Sequence, residues 1–216
     1  MIVKPVVLVT IFMLLASARA ETNYPAAWWK PVPREQAASW EILPQDAGPG
    51  EVILSKRTEL GLLSNLAATP FEFHGKKYAS LEGFWQSMKY PEDGDDPRAN
   101  AEWKYTREQV TQLTGFDAKR AGDLASANMK KLGITWVSFE GKRFPHRPKE
   151  PGEHYKLIVE AMREKVRQNP EVRKLLLSTG DLVLKPDHHQ EPNAPAAWRY
   201  CEILTTIREE LRSRSL

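Results

Sequence analysis

The chain has 216 residues, 41% hydrophobic and 27% charged, with a formal net charge of +3 and one cysteine. That composition excludes a disordered or fibrous protein and leaves ample chain for a core of one domain or two small ones. A single cysteine excludes an intrachain disulfide framework and a cysteine-held structural zinc.

Residues 1–20 read as a cleaved signal peptide. Lys4 supplies the positive start, residues 6–15 are apolar, and Ala18-Arg19-Ala20 fits the small-x-small cleavage pattern. The apolar run is shorter than the roughly 20 residues a spanning helix needs, so no stable membrane anchor is expected. The mature chain is expected to be exported, periplasmic or secreted. Lys4 and Arg19 are basic and the segment holds no acidic residue, so the remainder is nearly neutral. A broadly basic nucleic-acid-binding surface is therefore not expected.

Residues 21–50 hold Pro25, Pro31, Pro33, Pro44 and Pro49 together with Trp28, Trp29 and Trp40. Prolines at this density prevent long helices, and disordered tails carry few tryptophans. The segment reads as an extended arm packed onto the domain formed by residues 51–216.

In that domain the β-branched run 51–57 predicts a strand, and residues 69–80 a short hairpin turning at His74-Gly75. Ser80 suits an N-cap for a helix that Pro91 ends, and residues 92–97 form an acidic loop. Helices are expected at 107–113 and 118–131, the second capped by Asp117, and a strand at 133–139. Residues 141–152 read as a basic loop. An amphipathic helix follows at 153–168, with Leu157, Ile158, Ala161, Met162 and Val166 on its apolar side. Pro170 opens a short helix over 171–177, and residues 181–185 form a short strand. After a loop at 186–195, a helix over 196–213 turns Tyr200, Leu204, Ile207 and Leu211 inward. The sum is α+β: one helix-rich domain with a small sheet.

Chemistry concentrates on the helix after Ser80. Glu82, Gln86 and Lys89 recur at i, i+4 and i+7, beside the apolar stripe of Leu81, Trp85 and Met88. Spacing alone suits a solvated face. Gly83, Phe84, Trp85 and Met88 argue otherwise, because they leave little of the helix to face water. A carboxylate, an amide and an ammonium among aromatics must pair with one another or meet a ligand. Glu82 also lies in the first turn, where the helix dipole favours its ionised form, as suits a base or an electrostatic stabiliser.

Other candidates are weaker. His188 and His189 with Asp187 and Glu191 resemble metal ligands, yet neighbouring histidines in a loop point apart and no second ligand cluster accompanies them. No metal and no cofactor are expected. Cys201 lies one residue off an apolar stripe and reads as a packed thiol rather than a nucleophile. Ser64 and Ser80 lack a nucleophile-elbow context, and neither a P-loop nor a dinucleotide fingerprint occurs.

The run LGLLSNLAATPFEFHGKKYASLEGFWQSMKYP over 60–91 resembles the signature of the NADAR (YbiA-like) family. Ser64-Asn65-Leu66, Pro70-Phe71, Gly75, Tyr78, Ser80, Glu82, Trp85, Gln86 and Lys89 fill its places. Residues 165–184, with Thr179-Gly180-Asp181, and the closing Ile203-Leu204-Thr-Thr-Ile-Arg208 resemble later blocks. The resemblance implies a helix-rich α+β fold and cleavage of N-glycosidic bonds of ribosyl groups. Activities known for the family include hydrolysis of riboflavin-pathway intermediates and removal of ADP-ribose from guanine. It further implies Glu82 as the catalytic carboxylate, with Asn65, Trp85, Gln86 and Lys89 lining a ribosyl or phosphate pocket.

The chain departs from the family after Asp181. The expected W-G-x-G is absent, Trp198 and Cys201 stand where asparagine and glycine are usual, and Asp187, His188 and Trp198 are candidates for a rebuilt half of the pocket. The resemblance thus describes a divergent exported member, an N-glycoside hydrolase for a small ribosyl or ADP-ribosyl compound. The alternative is a non-catalytic NAD-, ADP-ribose- or nucleotide-binding module of the same fold. A third class is a structural envelope protein using the tryptophan-rich arm as an interaction surface.

Overall fold

The computed structural model describes residues 24–148 and 150–213, so the signal peptide expected at 1–20 lies outside the described residues. The fold is helix-rich α+β. Among the described residues the strands form three separate two-stranded ladders rather than one small sheet. β1 (Glu51–Ile53) pairs in parallel with β6 (Val183–Lys185), β2 (Phe71–Phe73) with β3 (Lys76–Tyr78), and β4 (Trp136–Phe139) with β5 (Lys142–Pro145). The helices are α1 (Leu81–Ser87), α2 (Arg107–Thr111), α3 (Gly115–Lys131), α4 (Glu153–Gln168), α5 (Pro170–Ser178) and α6 (Tyr200–Ser213).

Several expected elements move. The strand expected at 51–57 ends at Ile53, because the Ser55 and Thr58 hydroxyls take the N–H groups of Arg57 and Leu60 and turn the chain. Asp117 does not cap α3. The helix starts at Gly115, whose φ is +56° and whose N–H reaches Leu66 O, while Asp117 pairs with Arg120. The loop expected at 141–152 contains β5, a strand carrying its proline at its end, where a missing N–H is tolerated. The last helix starts at Tyr200, after a 3-10 turn at Ala196–Trp198.

Both antiparallel hairpins turn on two residues with positive φ, His74-Gly75 and Glu140-Gly141, the geometry that matches strand twist. They bring Phe71, Phe73, Tyr78 and Phe139 around Phe84 of α1, with ring centroids 5.0–6.3 Å from it. Phe84 is fully buried, so this aromatic cluster fixes the inner face of α1.

Residues 24–50 fold into three 3-10 turns, the first and third packed against β1. Trp28 is 1% exposed and donates Nε1–H to Glu59 at 2.6 Å, and Trp29 donates to Glu51 O at 3.0 Å. Tyr24 places its hydroxyl against Gly180, where an added Cβ would lie 2.3 Å from it. Gly180 also has φ +53°, so it is required twice over. Trp28→Ala should cost about 3 kcal/mol in urea unfolding, the scale for emptying a buried aromatic site. An unchanged midpoint would make the segment an appendage rather than core.

Candidate functional site

Ser80 caps α1 as expected, accepting from Gly83 N at 2.9 Å and donating to Leu113 O at 2.8 Å. Gly83 lets α2 approach, since a Cβ there would lie 3.0 Å from Val110 O and 2.7 Å from Leu113 O just beyond the helix. The polar stripe is therefore not a solvated face. Glu82, Gln86 and Lys89 are 8%, 8% and 6% exposed, covered by α3 and neighbouring aromatics.

The three side chains do not form a simple ion pair. Gln86 Nε2 donates to Glu82 Oε1 at 2.7 Å, whereas Lys89 Nζ donates to Ser126 Oγ at 2.9 Å and Gly122 O at 3.3 Å. Gly122 makes the room: a Cβ there would fall 2.0 Å from Gln86 Oε1. Glycine to alanine inside a helix ordinarily stabilises by about 1 kcal/mol, but overpacking costs about 1–3 kcal/mol. Gly122→Ala should therefore destabilise the protein and push Gln86 off Glu82. A higher unfolding midpoint would contradict that geometry.

Burial pushes the Glu82 carboxyl above its usual range, against the opposing pull of its Gln86 hydrogen bond and the Lys89 charge. The dipole of the first turn, worth about 0.3–1 kcal/mol, is smaller than the several kcal/mol of burying a charge. The ionised form is thus less favoured than its place in the helix suggests. Burial likewise holds Lys89 down to about 8, with Glu82 and Asp123 opposing.

Around this stripe stand residues from four other segments. Glu82 N–H donates to the backbone oxygen of Asn65 at 2.9 Å, and Lys165 Nζ, 1% exposed, donates to Ser64 O at 2.6 Å. Lys165 thereby holds the turn that presents Asn65. Burial without an acidic partner pushes its ammonium down to about 7. The ring of Trp85 meets His154 edge-on at 5.9 Å, and His146 lies 6.2 Å from Trp198, over which Arg147 sits at 4.7 Å. Burial keeps both histidines neutral, His146 down to about 3 and His154 to about 4, with the Lys89 charge adding to each. Asn65 Oδ1, Gln86 Oε1, His146 Nε2, both ring nitrogens of His154 and Trp198 Nε1 are buried without a hydrogen-bond partner. Glu92 Oε1 and Arg199 Nε are unpaired in the same way, and native proteins satisfy most such groups, with ordered water where no side chain serves.

His146 was not legible as a site residue. His154 and Lys165 did leave a signal: both fall on the apolar stripe of α4, at i−3 from Leu157 and i+4 from Ala161. A polar residue on an apolar stripe is committed to the interior.

Asp187 and His188, expected in a rebuilt half of the pocket, contact Lys56, which lines a groove beside Asn65, and the arm. Asp187 is 1% exposed, accepts from Lys56 at 2.5 Å and contacts His188 Nδ1 at 3.2 Å. Its backbone oxygen takes the N–H of Ile42, and His188 bridges to Glu41 and stacks on Tyr200 at 6.3 Å. These contacts tie the arm down, because a buried aspartate needs the nearest cation and Lys56 supplies it. Cys201 is buried and its thiol pushed up to about 12 by burial, as suits packing. Among the described residues no group of three or more His, Cys, Asp or Glu could hold a metal ion.

Two open grooves flank the stripe rather than contain it. One, of about 310 Å³, is lined by Lys56, Thr58, Ser64, Leu66 and Phe116, on either side of Asn65 in the chain. The other, of about 500 Å³, is lined by Lys142, Arg143, Phe144, Pro148, Gly152 and His154. The second touches His154, whose ring nitrogens stay buried.

No family model matches the sequence, and neither does any curated protein. Among solved structures, the NMR structure of the E. coli protein YbiA is similar, at 18% identity and a TM-score of 0.48, over 89% of this chain and 95% of that one. A likeness at that level assigns no residue a role, so the chemistry rests on the side chains around Glu82.

Proposed function

We propose that the chain is an exported N-glycoside hydrolase acting on a ribosyl or ADP-ribosyl compound, with Glu82 as its catalytic carboxylate. The observation behind this reading is one buried carboxyl held by a single amide, with Gln86 Oε1 left unpaired beside it and the backbone oxygen of Asn65 on its N–H. Water adds to C1′, the C1′–N bond breaks with its electron pair going to nitrogen, and the proton lost by water is matched by the one nitrogen gains. Ionised Glu82 would accept the water proton and oppose the positive charge building on the ribose. Trp85 would flank the sugar. Lys89 would act through its charge on Glu82, with two of its three protons engaged by Ser126 and Gly122.

Export rests on the pattern of residues 1–20. No helix among the described residues is long and apolar enough to cross a membrane. The second reading, a binding module for nucleotides or ADP-ribose without turnover, is favoured by the low exposure of Glu82 and Gln86. Incubating the mature protein with nucleosides, NAD, ADP-ribose and ADP-ribosylated guanine, with mass spectrometry of released base, separates the two. Release of a free base supports hydrolysis. Ligand-dependent thermal shifts without release support the binding module.

A further inference from the structure

Between two anchors the arm runs exposed. Trp28 at one end and Leu43 at the other are each 1% exposed, and no residue of 30–40 between them is buried. The excursion has a neck. Gln45 accepts from Val32 N–H at 3.2 Å and donates to Val32 O at 2.8 Å, and Ile42 N–H is held by Asp187 O at 2.8 Å. At its tip Trp40 meets Phe116 of α3 edge-on, with ring centroids 6.0 Å apart, and Lys56 Nζ lies 5.7 Å from the Trp40 ring. Phe116 and Lys56 both line the groove of about 310 Å³, one from α3 and one from the segment after β1. Trp40 therefore links two walls of that groove. Trp40 and Phe116 are also two of the four large hydrophobic side chains exposed among the described residues, so their contact leaves about half of each ring in water and adds little to the core.

We propose that residues 33–40 form a flap over this groove, that Trp40 is the residue that closes its mouth, and that the groove admits ligand to the Glu82 site. The last part rests on the proposed reaction at Glu82; the flap itself stands on the geometry. Groove and site share a turn. Ser64 and Leu66 line the groove and flank Asn65, whose backbone oxygen takes the Glu82 N–H at 2.9 Å. Leu66 O takes the Gly115 N–H at 2.8 Å, which fixes the start of α3, and with it Phe116, to the same turn. Lys56 is fixed on the other wall by Asp187 at 2.5 Å. The walls are thus held from within, and Trp40 is the movable side. Its ring is held by one aromatic edge and one cation, both at the surface, where such contacts are weak. Arg57 adds a latch next to it, donating to Glu41 at 2.6 and 2.8 Å and to Gln36 O at 2.7 Å. An exposed loop on a narrow neck belongs to the low-stability elements that open locally, and closure of such loops gates access to sites. Pro31 and Pro33 restrict φ beside the neck, so the flap moves as a body about it.

A thiol placed in the groove reads the flap. Ala67 lines it, and the native thiol, Cys201, is buried, so native protein serves as the blank. Labelling of Ala67→Cys protein by a bulky pyrene maleimide and by small iodoacetamide is timed with and without changes in the flap. Adding Trp40→Ala should speed the maleimide about fivefold or more and iodoacetamide less than about twofold, at an unchanged melting temperature, because bulky labelling follows the open fraction. Trp40→Phe, which keeps a ring for Phe116, should recover most of the slow rate. Arg57→Gln, which removes the latch, should speed the maleimide as well. Maleimide labelling unchanged by Trp40→Ala overturns the flap. Equal acceleration of both reagents with lower melting means local unfolding and also overturns it. Ala67→Cys protein carrying the maleimide should lose base release, and turnover at the unlabelled rate overturns the groove as the way in. Trp40-dependent labelling without base release by native protein keeps the flap and removes the hydrolase reading. Base release with labelling indifferent to Trp40 does the reverse.

Discussion

Glu82→Gln should lower base release by about 10²- to 10⁴-fold, the range for losing a general acid or base, while leaving the unfolding midpoint within about 1 kcal/mol of native. Glutamine matches the shape, and its carbonyl can still accept from Gln86 Nε2, now at 2.7 Å from Glu82 Oε1. The structure explains why stability should hold. Burial already disfavours the Glu82 charge, so a neutral side chain removes a penalty as well as an attraction to Lys89. The native pH profile then tells which form works. If the ionised carboxylate acts, activity should rise with pH along a limb centred above the ordinary value of 4.5, because burial raises the carboxyl. A falling limb in that place would make Glu82 the acid that protonates the leaving nitrogen. Normal turnover by Glu82→Gln would remove Glu82 from the chemistry altogether.

Arg98→Met should cost about 3–5 kcal/mol in urea unfolding, the scale for removing one partner of a buried ion pair. Arg98 is fully buried. It donates to Asp96 through NH2 at 2.6 Å and Nε at 2.9 Å, to Met88 O at 2.7 Å and to the Ser138 hydroxyl, with its guanidinium 4.4 Å from the Trp136 ring. That partner holds the Asp96 carboxyl down at about 2 despite burial. Methionine fills similar volume but leaves Asp96 charged and unmatched, and frees the Met88 carbonyl. Adding Asp96→Asn should recover more than half the loss, since the stranded charge is then gone. A single-variant loss below about 1 kcal/mol would show the pair to be dispensable. The effect should reach the site too, because Met88 closes the end of α1 and its carbonyl also takes Ser138 N–H at 3.0 Å.

Much of this molecule is legible in the sequence. Periodicity located α4 to the residue and α1 by its Ser80 cap, and the His74-Gly75 dipeptide announced its hairpin. Those signals are local: a turn needs positive φ, a helix start needs an acceptor, and an amphipathic stripe needs a core. β5 was hidden because its basic residues and terminal proline look like a loop, and only pairing with β4 makes them a strand. Asp117 looked like a cap, but the chain enters α3 through Gly115, whose N–H is held by Leu66 O.

The sequence by itself determined the α+β class, the single packed thiol and the line of Glu82, Gln86 and Lys89, because residue type and spacing fix which side chains share a face. Tertiary structure decided what that face meets. α3 covers it and leaves a glycine opposite Gln86; α4 sets His154 against Trp85, the segment after β5 and the turn before α6 pair His146 with Trp198, and Asp187 and His188 contact the arm. Burial and pairing depend on residues tens of positions apart, and no local pattern encodes the neighbour a side chain acquires only when the chain closes on itself.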